Sequence, residues 1–280
     1  VVSARRLTAD DLAKVCDFVY RRTGLVYGEA KRYYTERRVA ARMGAVGTGD
    51  FDTYFGRLVH DPVEEEALVN AFTINETYFY REKHQLQSLS DAALPVVTMG
   101  KAAGEVIRIW SIPCSTGEEP YSIAIWLLEN WPLVDAYHID ITGSDIDTDA
   151  LNAARRGAYS SRAVSRLRED VKGRYFDELE GDRWEIIQDL KESVRFTFAN
   201  LVQGSTLSGI GRFDVVFCRN LLIYFDEQSR TTAMDNLYRM MSPGGFLFLG
   251  HSESLAKITD RLIPTRLKDG VAYRKPVDTP

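Results

Sequence analysis

Residues 106–122 read VIRIWSIPCSTGEEPYS. A short apolar run over 106–112 leads into Pro113, a loop of small residues and Gly117. Pro120 then opens a helical pattern over 119–130. Proline suits a helix's first turn, because the N–H it lacks would have had no partner there. The stretch therefore reads as strand, loop and helix. The same rhythm returns downstream. Apolar runs at 137–144, 213–218 and 245–250 alternate with helical patterns at 147–157 and 226–241. Strands alternating with helices imply a parallel sheet with crossover helices, an α/β fold. Residues 159–198 break the rhythm. They hold a charged helical stretch and two further runs, 184–190 and 193–198, which read as a hairpin. This segment is expected to be an insertion decorating the sheet.

Open α/β sheets bind ligands outside the carboxyl ends of their strands. The residues that follow each run are therefore the first candidates for a site. After the first run, small residues let backbone approach a ligand. The helix start offers free N–H groups, yet Glu118 and Glu119 would repel a phosphate. No GxGxxG and no GKS or GKT motif is present. That disfavours a pyrophosphate cofactor and ranks a nicotinamide dehydrogenase last. After the second run, Asp145 can accept hydrogen bonds from both hydroxyls of a ribose. The two loops together suit a nucleoside ligand without phosphate. S-adenosylmethionine has a ribose, a cationic sulfonium and no phosphate. Arg219 and Asn220 follow the third run. A further cluster, NETYFYR at 75–81, lies where the α/β rhythm is about to begin. Such a junction favours a pocket.

The first 75 or so residues have another character. Thr8 with Asp11 resembles a capping box for a helix over 8–23, with Leu12, Val15 and Val19 on one face and Gly24 as its stop. A second helix is expected over 30–43. Lys31, Arg38 and Arg42 fall on one face of it. Two more helices follow at about 51–60 and 62–73. The expected organisation is a helical domain at 1–75, a linker at 76–90 that contributes to the pocket, and an α/β domain at 91–280 with its insertion at about 159–198.

Composition narrows the class. The 280 residues are 45% apolar and 27% charged, which is enough for a packed core. The net charge of −5 argues against a dedicated nucleic-acid binder. No uncharged apolar run approaches the roughly 18 residues of a membrane span, and the N-terminus lacks a signal peptide's apolar core. Cys16, Cys114 and Cys218 are odd in number and widely spaced, as expected of reduced thiols in a cytosol. The four histidines are scattered, so no metal site is expected. Val1 is not a start methionine, which leaves room for neighbouring domains. Charge is uneven. Residues 1–49 carry ten Lys and Arg against five Asp and Glu, and the remainder 25 against 35. A basic first segment suggests an acidic partner, against the plainer reading of a solvated helix face.

The motifs resemble the chemotaxis receptor methyltransferase family, CheR. The resemblance runs from about Leu7 to Tyr273. Five motifs carry it in the family's order: NETYFYR at 75–81, STGEEPYS at 115–122, SDIDTDAL at 144–151, FDVVFCRNLLIYF at 213–225 and PGGFLFLGHSES at 243–254. It implies an all-helical N-terminal domain ahead of a Rossmann-like methyltransferase domain with a small inserted β-subdomain. It implies S-adenosylmethionine as cofactor, bound by Asn75, Thr77, Arg81, Glu118, Asp145, Asn200, Leu201, Arg219 and Asn220. Asp145 would take the ribose, and Asn200 and Leu201 would flank the adenine. Arg81 and Tyr224 would lie nearest the transferring methyl. The implied reaction methylates glutamate side chains on the cytoplasmic methylation helices of chemoreceptors. Arg37, Arg38 and Arg42 match basic positions of the family's second helix. With Lys31 they are expected to dock an acidic receptor helix. The connection over 177–183 is short beside members that grip a receptor's C-terminal pentapeptide, so docking is expected not to need that tether. The competing readings are a methyltransferase of another protein or small acid, and a cofactor-sensing scaffold.

Overall fold

The computed structural model describes residues 6–277. The outermost residues of both expected end spans lie outside the described residues. The chain begins with four helices: α1 (Ala9–Thr23), α2 (Arg32–Val46), α3 (Phe51–Leu58) and α4 (Pro62–Phe72). The Thr8 hydroxyl accepts from Asp11 N at 3.1 Å, and the Asp11 carboxylate accepts from Thr8 N at 3.2 Å. Gly24, at φ +71°, closes α1. Leu12, Val15, Val19, Val39, Tyr54, Leu58, Leu68 and Phe72 form the core of this helical unit. Glu64 on α4 is buried inside it, paired with Arg42 and accepting from Tyr54 Oη at 2.9 Å.

The chain then passes through α5 (Lys83–Ser88) and α6 (Leu94–Thr98) into the sheet. Its elements are β1 (Val106–Ser111), α7 (Glu118–Asn130), β2 (His138–Asp145) and α8 (Thr148–Arg156). Next come β3 (Ala158–Ser160), α9 (Ser161–Val164), α10 (Glu169–Tyr175), β4 (Phe176–Leu179), β5 (Arg183–Ile186) and α11 (Gln188–Glu192). The last are β6 (Val194–Phe198), β7 (Phe213–Cys218), α12 (Glu227–Met240), β8 (Met241–Leu249), β9 (Ile263–Leu267) and β10 (Gly270–Arg274). The main sheet runs β6-β2-β1-β7-β8-β10-β9. Its first five strands are parallel, and β10 and β9 close the edge antiparallel. The chain leaves β1 toward β2 and β6, then returns to the other side of β1 as β7. The switch point therefore lies between β1 and β7, where such sheets bind ligands.

One expectation needs correcting. Residues 193–198 are not half of a hairpin. Val194–Phe198 forms β6, parallel to β2 from Ile141 to Asp145. The hairpin lies earlier, where β4 pairs antiparallel with β5, and β3 adds a third strand. The run at 193–198 alternates in the sequence, and alternation says nothing about which sheet a strand joins.

Gly117 shows why the first loop needs a glycine. Its φ is +93°, and a Cβ there would sit 2.8 Å from the Ala154 Cβ. The α7 start therefore packs directly on α8.

Candidate active site

Two adjoining clefts open at the switch point. The first encloses about 710 Å³, mouth included. Its walls come from the strand ends (Ile112, Pro113, Ser115, Asp145, Asn200, Leu201, Asn220, Tyr224, Phe225) and from the helical unit (Thr23, Leu25, Tyr27, Phe72, Asn75). The second encloses about 550 Å³ and is lined by Thr77, Tyr78, Arg81, Glu119, Ser122 and Arg219 among others. Ile74, Pro113, Ser115 and Asn220 border both.

Asp145 ends β2 with its carboxylate fixed by backbone. Oδ2 accepts from Ser115 N at 2.7 Å and Oδ1 from Asp147 N at 2.9 Å. Burial still dominates and pushes its pKa up to about 6. A buried carboxylate with spare lone pairs favours a ligand that donates hydroxyl groups to it. Asn75 bridges the two units. It donates to Asp147 Oδ2 at 2.7 Å and accepts from Ser115 Oγ at 3.0 Å.

The second cleft has an ionic floor. Arg219 is 5% exposed. Its Nη1 donates to Glu119 Oε2 at 2.7 Å, and Nη2 lies 3.4 Å from Glu82 Oε2 and donates to Arg81 O at 2.9 Å. Its Nε is buried without a partner. Burial raises Glu82, but Arg219 and His251 together outweigh it and hold the carboxyl below its ordinary value, whereas burial raises Glu119 despite the same arginine. With Arg81 beside it, the charged side chains of the cleft lining are two arginines and two glutamates, Glu76 and Glu119. Arg81 is fixed by Nη1 donating to Glu76 O at 2.6 Å, with its guanidinium 5.8 Å from the Tyr78 ring centre.

The expected site residues thus divide. Asn75, Asp145, Asn200, Leu201, Asn220 and Tyr224 border the first cleft, and Thr77, Arg81, Arg219 and Asn220 the second. Glu118 borders neither. It is buried at the α7 start and accepts from Thr116 Oγ1 at 2.6 Å, while its neighbour Glu119 faces the second cleft. The Asn200 amide is engaged with the helical unit, donating to Arg22 O at 2.6 Å.

The α2 residues divide too. Arg42 forms two bonds to Glu64, at 3.0 and 2.5 Å. Arg38 donates to Ala71 O at 2.6 Å. These two arginines lean on α4 and hold the helical unit together. Lys31 lies over the Tyr27 and Tyr224 rings at 5.0 and 5.7 Å, and Arg37 is exposed. The sequence reading missed Thr23, Leu25 and Tyr27, since no local pattern marks a helical unit's loop as a cleft wall. It also missed Glu82 and Glu119. Glu119 sits inside STGEEPYS, but helix phase alone does not say which of two adjacent glutamates faces outward.

The clefts fit S-adenosylmethionine. A buried carboxylate ends the second strand, an aromatic and aliphatic wall offers an adenine its faces, and no phosphate cradle is present. Comparison with known proteins agrees. Residues 10–73 match the family described as CheR methyltransferase, all-alpha domain, and residues 75–271 match CheR methyltransferase, SAM binding domain. The chemotaxis protein methyltransferase 2 of Vibrio cholerae is 42% identical over 272 residues, 96% of this chain and 94% of that protein. The chemotaxis protein methyltransferase 2 of Pseudomonas aeruginosa is 35% identical over 88% of this chain and 87% of its own length. The chemotaxis protein methyltransferase of Salmonella typhimurium is 34% identical over 91% of this chain and 88% of its own length. With both of its domains matched in order, the chain belongs to the CheR methyltransferase family.

Proposed function

We propose that this protein transfers the methyl group of S-adenosylmethionine to glutamate side chains on chemoreceptor methylation helices, in the cytoplasm, for adaptation in chemotaxis. The observation that carries the reading is the pair of joined clefts, one holding Asp145 and Tyr224, the other holding Arg81. The relatives are chemotaxis protein methyltransferases, which supports the receptor as substrate. Among the described residues no helix is long and apolar enough to cross a membrane.

The cofactor, when bound, supplies a methyl group made electrophilic by its sulfonium. Asp145 would hold the ribose hydroxyls. Leu201 and the aromatic wall of Tyr27 and Phe72 would take the adenine, and Thr77 and Arg219 the amino-acid end. A substrate glutamate has a reference pKa of about 4.3 and is already ionised at neutral pH. No side chain has to remove a proton. The protein's contribution is position, which is worth roughly 7–11 kcal/mol in well-oriented systems. Arg81, anchored at one N–H, orients the incoming carboxylate with its others. Tyr224 sets the opposite edge with its phenol. The apolar wall excludes water. Arg37 and Lys31 guide an acidic receptor helix to the mouth.

The test uses labelled cofactor and receptor-containing membranes. Glutamyl methyl esters release labelled methanol in mild alkali. Binding of S-adenosylhomocysteine without alkali-labile label would move the substrate to another class. The turn between β4 and β5 is short, and receptors lacking their C-terminal pentapeptide should be methylated at an undiminished rate.

A further inference from the structure

We propose that Glu253 is a positioning residue for the loop after β7, setting that loop through its backbone rather than by touching ligand. The inference rests on the methyltransferase reading of the clefts. Glu253 borders neither of them. Its Oε2 accepts from Asn220 N at 2.8 Å and Gly250 N at 2.9 Å, and its Oε1 lies 3.3 Å from Ile223 N as a second acceptor. One carboxylate therefore ties together the loops that leave β7 and β8.

The loop it holds needs holding. Asn220 has φ +58°, the left-handed region that residues with a Cβ adopt at a cost. Asn220 borders both clefts, with Arg219 before it and Tyr224 four residues on. Three N–H groups on one carboxylate are charge-assisted and fix direction as well as distance. Gly250 makes the approach possible. A Cβ there would fall 2.9 Å from both Asn220 Nδ2 and Glu253 Oε2. A glutamine in place of Glu253 would keep one acceptor oxygen and turn an NH₂ toward another N–H.

The experiment pairs amide hydrogen exchange with calorimetry. In ligand-free protein, Glu253→Ala should raise exchange at Asn220, Ile223 and Gly250 about tenfold, with Val216 and Phe217 in β7 unchanged. Its affinity for S-adenosylhomocysteine should weaken about tenfold, with Glu253→Gln between it and the parent. Unchanged exchange at the three amides would overturn the proposal. So would a uniform rise across β7, which marks a structural role, or raised exchange with unchanged affinity. If Glu253→Ala does not fold, Glu253→Gln decides by the same two readouts. Failure of the parent protein to bind S-adenosylhomocysteine would instead overturn the reading of the clefts.

Discussion

Arg42 on α2 meets the buried Glu64, Arg219 after β7 meets the partly buried Glu82 and Glu119, and the two groupings have opposite surroundings. Arg42 and Glu64 share two hydrogen bonds within the helical unit, and Tyr54 caps the carboxylate. Arg219 is stretched between Glu82 and Glu119 on the floor of a cleft, and one of its N–H groups is left without a partner. The first pair is closed on itself. The second is balanced by neighbours yet still open to a ligand. A helix-face arginine answers to whatever helix packs beside it, whereas an arginine after a parallel strand stands where the topology puts ligands.

The largest effect should come from breaking the closed pair. Arg42→Ala leaves Glu64, 2% exposed, without its charge partner. Removing one member of a buried pair costs about 3–5 kcal/mol, and the partly exposed Arg42 belongs at the low end of that range. Urea unfolding measures it. The folded fraction should keep its affinity for S-adenosylhomocysteine, and a loss under about 1 kcal/mol would make this pair no different from a surface bridge.

Asp145→Asn comes next. Charged hydrogen bonds are worth about 1.5–3 kcal/mol, so binding of S-adenosylhomocysteine should weaken roughly 10- to 100-fold by calorimetry. The pH dependence sharpens the test. Asp145 sits at about 6 when folded, against 3.8 for a free carboxyl. Between those values only the folded form holds the proton, so ligand-free stability falls as pH rises through that window. Ribose hydroxyls favour the ionised carboxylate, so affinity should fall as pH drops below about 6. The asparagine variant should flatten both curves.

Arg81→Ala and Tyr224→Phe should each slow receptor methylation about tenfold with cofactor affinity nearly intact, because they act on geometry at the reacting end. Equal loss of rate and affinity would place them in cofactor binding alone. The smallest effect belongs to Arg37→Glu. An exposed charge screened over about 8 Å should lower receptor methylation only a few-fold at low salt and less at high salt. A larger loss than that of Arg81→Ala would reverse the roles of the two regions.

The parallel strands, their helices and the helical unit were legible because each has a period of its own. Asp145, Arg219 and Asn220 were legible because a strand end points at the ligand side whatever the rest of the chain does. The fate of Arg38 and Arg42 was not, since one helix face looks the same whether water or α4 lies beside it. Nor was β6, whose partner β2 lies about fifty residues earlier. Glu253 was visible inside PGGFLFLGHSES as a letter without a role. Its function depends on the left-handed turn at Asn220, which no composition or period reveals.

The helical unit is fastened to the sheet on both sides of the first cleft. On one side Asn70 exchanges two bonds with Thr148, and Asp147 takes Thr73 and Asn75. On the other, Val26 N donates to Tyr224 O and Leu25 bridges Phe225. The ends of α1 and α4 and the segments that follow them are thus a wall of the first cleft as well as a neighbour to it. A ligand there acts as a rivet, adding about 2.7 kcal/mol to the joint when present at a hundred times its Kd. Separating the two units would therefore also dismantle the first cleft.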